Sequence, residues 1–232
     1  MKKEAIILAG GFGTRLRETV PDLPKCLAPV KGQPLLYYII NYLIDSGINK
    51  IIFSLFYKNE LVIQYLKDNF SLIDYDFVIE QNPLGTGGAL ALALKTATTE
   101  NVVVINGDSI FKINLEELLQ FHQSKNSNFS IALKKMADPI RYGTINMDGN
   151  GKIFCFNEKD ETLKEGIING GVYIINKYYF LNKIISPAFS LEIDYLMIDT
   201  NKKNIYGKVF EDYFIDIGVP IDYHKANYDF ND

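Results

Sequence analysis

The 232-residue chain has no tryptophan, and only two cysteines, two histidines and three arginines. Cys26 and Cys155 lie far apart in the sequence, so neither a disulfide framework nor a paired-cysteine ligand set can be drawn. They read as free thiols of a reducing compartment, which points to the cytoplasm. His122 falls inside an expected helix and His224 lies near the C-terminus, and both read as structural. Long hydrophobic runs are missing as well. The opening MKKEAIILAGGFG has a basic start, but its apolar run is too short for a signal segment and breaks into glycines. No stretch approaches the length of a membrane span. The net charge of −4 leaves no basic excess for a general nucleic-acid or anionic-membrane binder. Any anion bound by this chain must be met by a few placed cations.

What is present fits a globular α/β protein: 47% of the residues are apolar. The length suits one large domain over 1–232, which needs no disulfide or metal for its stability. Residues Ala5–Ala9, Ile51–Leu55, Phe77–Glu80 and Val102–Asn106 read as buried strands. Between and after them come helical patterns at about Leu35 to Ser46, near Glu60–Asn69, through Ala89–Ala97 and over Leu115–Gln123, the last opened by Asn114. Such alternation implies βαβ units, hence a mostly parallel central sheet with helices on both faces. The second half is richer in strands: Phe129–Lys134, Gly143–Met147, Lys152–Phe156, Gly171–Ile175 and Tyr206–Ile217, with MDGNGK as a turn. These extra strands are expected to add a lid over the sheet. No repeat, low-complexity tract or linker interrupts the chain.

Four constellations carry chemistry. The first is Leu8-Ala-Gly-Gly-Phe-Gly-Thr-Arg-Leu16, where a buried strand runs into a glycine loop holding two of the three arginines, Arg15 and Arg17. Backbone N–H groups of such a loop form an anion nest, and a guanidinium beside it suits a polyphosphate. Taken alone, the loop could equally be a tight turn with surface arginines. A dinucleotide fingerprint fails for want of its third glycine and its acidic partner, and a P-loop fails for want of Gly-Lys-Ser/Thr. Lys25 follows, in Leu23-Pro-Lys-Cys-Leu-Ala-Pro29. The second is Asn106-Gly-Asp108 at the carboxyl end of a hydrophobic strand, where parallel sheets place ligands. Asp108 could hold Mg²⁺ while phosphates complete its coordination, or simply shape a turn. The third is Phe156-Asn-Glu-Lys159 with Tyr142-Gly143 and Asn169-Gly-Gly-Val-Tyr173. The fourth is Glu80-Gln-Asn-Pro-Leu-Gly-Thr-Gly-Gly-Ala89.

LAGGFGTRL followed by LPKCLAPV resembles the sugar-1-phosphate nucleotidylyltransferase family, and the resemblance runs along essentially the whole chain. It implies a Rossmann-like α/β core with a mixed, mostly parallel sheet, whose extra strands form a sugar-binding lid, and an activity that joins an NTP and a sugar 1-phosphate with release of pyrophosphate, forming an NDP-sugar for surface polysaccharide. Nucleotide contacts are implied for Leu8, Ala9, Gly10, Gly11, Gly13, Thr14, Glu80, Pro83, Gly85, Thr86, Asn106 and Gly107. Arg15 would meet the departing pyrophosphate and Lys25 the α-phosphate. Asp108 and Asp216, in Phe214-Ile-Asp-Ile-Gly-Val-Pro220, would hold Mg²⁺. Gly143, Glu158 and Asn169 would contact the sugar, and Lys159 its phosphate. Arg15, Lys25, Asp108 and Asp216 form the expected catalytic set. Cys26, Asp160 and Val219 depart from the family pattern beside motif residues without replacing any of them.

The same resemblance explains why no general base stands out. A sugar 1-phosphate, with a second pKa of about 6, already carries a nucleophilic oxygen at neutral pH. The enzyme's task is alignment and charge neutralisation. PLGTGGA also looks like the loop of guanylyltransferases for manno-configured sugars. Where relatives reading uracil or thymine tend to place glutamine stands Glu80, whose two oxygens can accept from both adjacent donors of guanine. The expected substrates are therefore GTP and a manno-configured heptose 1-phosphate. The short chain supports the heptose, because mannose enzymes usually carry a further β-helical domain. A uridylyl-, thymidylyl- or cytidylyltransferase and a silent nucleotide-sugar-binding regulatory subunit remain as alternatives. The intact charged set argues against the silent subunit. Oligomeric state stays open, a homo-oligomer included.

Overall fold

The computed structural model describes residues 2–229 apart from Glu161, Ile185, Asp199, Asn201 and Lys202. In chain order come β1 (Glu4–Leu8), the short hairpin β2 (Pro29–Val30) and β3 (Gln33–Pro34), α1 (Leu35–Asp45), β4 (Lys50–Leu55) and α2 (Asn59–Asn69). Next are β5 (Tyr75–Ile79), α3 (Gly85–Leu94), β6 (Asn101–Asn106), β7 (Ser109–Phe111) and α4 (Leu115–Ser124). The second half contains β8 (Phe129–Ala137), β9 (Thr144–Met147), β10 (Ile153–Asn157), β11 (Glu165–Asn176), α5 (Lys177–Leu181), β12 (Ile205–Val209), β13 (Phe214–Asp216) and α6 (Pro220–Asp229). A π-helical turn spans Leu191–Leu196.

The strands β6, β1, β4 and β5 form a parallel block in that order. β11 joins β6 antiparallel and continues the sheet into β8, β9, β10 and β12. Alternation along the buried strands feeds two cores. Ala5, Ile7, Val103 and Ile105 face α1, α2 and α4, whereas Ile6, Val102 and Val104 face α3, Phe180 and Tyr195. The helix α4 opens as expected: Asn114 Oδ1 accepts from Glu117 N–H at 3.1 Å.

Three expectations change. The span expected as one strand over Tyr206–Ile217 is two, β12 and β13, separated by residues 210–213, and they belong to different sheets. The helix expected from Ala89 begins at Gly85, so PLGTGG supplies its first turn. The strands expected as a lid over the sheet are hydrogen-bonded into it, and a ligand cavity is reached by Asn169, Gly170 and Gly171 of β11 together with the loops before β9 and after β10.

Candidate active site

The chain moves from β1 outward to β4 and β5, then returns to place β6 on the other side of β1. This reversal opens a crevice at the carboxyl ends of β1 and β6, the usual ligand position of an open parallel sheet. Leu8 pairs with Asn106 there, and Gly107 N–H donates to Leu8 O at 2.9 Å. A cavity of about 250 Å³ sits above them. Leu8, Ala9, Gly10, Gly11, Lys25, Glu80, Pro83, Gly85, Thr86, Asn106 and Gly107 line it together with Asp108. Gly13 and Thr14 stay outside this lining. Arg17 also lies outside: it donates to Phe12 O at 3.2 Å and covers the Tyr57 ring, so it shapes the loop.

A second cavity of about 220 Å³ adjoins the first, and the two share Asn106 and Asp108. Gly143, Lys159, Asn169 and Asp216 line it, and so does Arg15, on this side of Asp108. Glu158 is exposed and outside the lining. Arg141, Tyr142, Ser109, Glu192, Phe214 and Val219 complete the wall. The sequence reading missed Arg141 and Glu192. Arg141 was findable as the third arginine, directly before the Tyr142-Gly143 pair. Glu192 had no local signal.

Short elements deliver the charged residues. Pro24, fixed in extended backbone, starts a tight helical turn over Lys25–Leu27, which presents Lys25 at its first position. Asp108 directly precedes β7, and β13 pairs with β7 so that Asp216 stands opposite Ser109. Ile217 N–H then donates to Asp108 O at 3.1 Å. Lys25 Nζ thereby lies 2.7 Å from Asp108 Oδ2 and 3.2 Å from Asp216 Oδ1. Burial and the neighbouring Asp108 push the Asp216 carboxyl above its ordinary value, against the pull of Lys25 and of Gly218 N–H. Two carboxylates converging on one cation position, with cavity on either side for phosphate oxygens, fit a hard divalent ion with few protein ligands. Among the described residues no group of three or more histidine, cysteine or acidic side chains could hold a metal.

Glu80 is buried at the end of β5, where its Oε2 accepts from Leu84 N–H at 2.8 Å. Burial raises its carboxyl above the ordinary value, and the Leu84 bond counters this. A Cβ on Gly10 would come within 2.8 Å of Glu80 Oε1, so the first glycine of the loop lets that carboxylate reach the cavity. Asn169-Gly-Gly is a β-bulge: the register of β11 on β8 shifts between Asn169 and Tyr173, and Gly171 takes φ +73°. A bulge re-aims a side chain out of the sheet's alternation, and here it brings Asn169 to the second cavity.

A glycine loop at a switch point, with a cavity on each side of a paired-aspartate, single-lysine centre, defines an enzyme that transfers a nucleotidyl group. The chain belongs to the Nucleotidyl transferase family, whose model matches residues 4–232. It is 44% identical over 223 residues to the D-glycero-α-D-manno-heptose 1-phosphate guanylyltransferase of Aneurinibacillus thermoaerophilus, covering 96% of each chain. It is 42% identical over 221 residues to the enzyme of the same name from Campylobacter jejuni, covering 95% of this chain and 97% of that one. The crystal structure of HddC from Yersinia pseudotuberculosis complexed with GMP-PN superposes with a TM-score of 0.86 at 35% identity, over 99% of this chain and 100% of that one. Enzymes of this family typically use a divalent metal ion. Among the described residues no helix is long and apolar enough to cross a membrane.

Proposed function

We propose that this chain, as one domain, transfers the guanylyl group of GTP to D-glycero-α-D-manno-heptose 1-phosphate. A phosphate oxygen of the sugar attacks the α-phosphorus, the bond to the β-phosphate breaks, and pyrophosphate leaves with GDP-heptose as product. The observation that carries this reading is the meeting of two cavities at Asp108, one holding Glu80 and the other Lys159. A substrate in each would present its phosphate to the same centre. The heptose and the guanine rest on the relatives' names and on the Glu80 carboxylate, whose two oxygens match two adjacent donors.

Lys25 would neutralise the α-phosphate, Lys159 would hold the sugar phosphate, and Arg15, which lines the second cavity, would stabilise the departing pyrophosphate. Gly143 and Asn169, which line the second cavity, would hold the sugar. Asp108 and Asp216 would hold Mg²⁺, which when bound offsets phosphate charge and polarises the α-phosphorus. Neither histidine lines either cavity, in keeping with a nucleophile that is already ionised. The enzyme belongs in the cytoplasm, where its nucleotide is made and Cys26 and Cys155 stay reduced. A matrix of nucleoside triphosphates against sugar 1-phosphates, read by pyrophosphate release, tests the reading. The highest kcat/KM is expected for GTP with the manno-heptose, and turnover confined to other pairs would reject it.

A further inference from the structure

One ion pair beside the second cavity is not used by the reaction as described. Arg141 lines that cavity, and its guanidinium donates to the Asp222 carboxylate. Asp222 stays outside the lining, in the first turn of α6. The pair therefore ties the loop before β9 to the helix that follows the strand bearing Asp216. The loop itself is firmly placed. Tyr142 N–H donates to Pro139 O at 2.8 Å, the Tyr142 ring meets the Phe214 ring edge-on at 6.1 Å, and the Arg141 guanidinium lies 5.5 Å from the centre of the Tyr142 ring.

Asp108 and Asp216 face the same cavity as Arg141. Lys25 meets one oxygen of each, Asp108 Oδ2 and Asp216 Oδ1, and Gly218 N–H donates to the latter at 2.7 Å. Among the described residues, Asp108 Oδ1 and Asp216 Oδ2 take no hydrogen bond. With Lys25 the two carboxylates carry one net negative charge, and a second cation on those oxygens would cancel it. Arg141 is such a cation: burial works against its charge, and Asp222 and Asp216 both support it. A guanidinium is a fork of donors matched to carboxylate oxygens, so it would compete with a metal ion for them. Lys159 and Arg15, the other cations of the wall, have substrate phosphates as partners in the reading above. Arg141 has a protein carboxylate instead.

We propose that Asp222 is a positioning residue that keeps Arg141 on α6 and off Asp108 and Asp216, so that the charge of these two aspartates is left for the divalent metal. This rests on the metal-dependent nucleotidyltransferase reading above and adds to it the counter-ion that protects the metal centre.

The test measures Mn²⁺ binding by water-proton relaxation, with and without GTP and with sugar phosphate withheld, so that turnover does not contribute. Wild type, Asp222→Ala, Arg141→Gln and the double variant are compared, each with its Tm. Asp222→Ala is expected to raise the Kd for Mn²⁺ about tenfold, the order of one added unit charge at a partly exposed site, and Arg141→Gln in that background to return it to within about twofold of wild type. Asp222→Glu, which keeps the charge, should bind Mn²⁺ like wild type. An unchanged Kd in Asp222→Ala would overturn the assignment. So would an equal rise in the double variant, or an Asp222→Ala chain that fails to fold, because either marks an ion pair that serves only the fold of α6. Wild type that binds no Mn²⁺ under either condition would remove the metal reading and this assignment with it, whereas the comparison among variants judges the assignment alone.

Discussion

Lys25 and Asp108 form an ion pair, Nζ to Oδ2 at 2.7 Å, at the seam between the two cavities. The same ammonium reaches Asp216 Oδ1 at 3.2 Å. The centre is therefore two anions around one cation, and part of its negative charge remains for a metal ion to meet.

Asp108→Asn and Asp216→Asn should each lower turnover by several orders of magnitude, and excess chelator should abolish wild-type activity. Folding should survive. Asp216→Asn removes a carboxylate whose ionised form burial and Asp108 disfavour, so its Tm in chelator should not fall below that of wild type. Thermal melts and turnover assays on the same preparations check both points. Full activity in chelator would remove the metal from the account.

Lys159→Ala should act on the sugar phosphate, raising its KM about tenfold or more while leaving KM for GTP near wild type. This corresponds to roughly 1.5–3 kcal/mol for a lost charge-assisted contact. Arg15→Ala should reduce kcat and the use of GTP. Because Arg15 lines the second cavity, initial-rate grids over both substrates are the right measurement. An effect of Arg15→Ala confined to the sugar KM would move that arginine from pyrophosphate to sugar phosphate.

Glu80→Gln keeps an oxygen for Leu84 N–H but replaces the second acceptor with a donor. Its kcat/KM for GTP should fall by a factor corresponding to about 1–3 kcal/mol, and the gap to UTP or dTTP should narrow. Competition among triphosphates at saturating sugar phosphate reads this directly. An unchanged base preference in the variant would show that Glu80 shapes its loop without reading guanine.

Two buried groups make stability depend on acid. Burial works to raise the Glu4 carboxyl, yet hydrogen bonds from the backbone and hydroxyls of Thr98 and Thr99 prevail and hold it at about 2. Its contribution is complete above the unfolded value near 4.5 and is lost as pH falls toward 2. Burial lowers His122 from 6.5 to about 4, and the ring is held neutral between Ser130 and Asn101. The unfolded chain takes up that proton first, so stability is full above pH 6.5 and falls on the way to 4, by roughly 3 kcal/mol. Urea unfolding at pH 7, 5.5 and 4.5 should show the decline, and His122→Gln should flatten it. An equal slope in the variant would exclude His122 as the cause.

Much of this was readable because local chemistry and fold agreed. The run Ala5–Ala9 ending in glycines specified both β1 and the nucleotide loop, and Asn106-Gly-Asp108 announced a strand end. The pairing of Asp108 with Asp216 came only from family resemblance, since nothing in the spacing shows that β13 will lie against β7. PLGTGG reads as a loop because three glycines weaken a helix. Those glycines instead admit the Phe189 segment against the first turn of α3. Glu192 and the Arg141–Asp222 ion pair were invisible for the same reason: each depends on segments brought together only by tertiary packing.

The central claim is most directly tested by ³¹P NMR of the purified protein with Mg²⁺, GTP and D-glycero-α-D-manno-heptose 1-phosphate. The β- and γ-phosphorus signals of GTP should be replaced by pyrophosphate, while the sugar phosphorus and the GTP α-phosphorus become a coupled diphosphate ester pair. GTP and the sugar phosphate left unchanged, in a preparation that turns over another nucleotide–sugar pair, would contradict it.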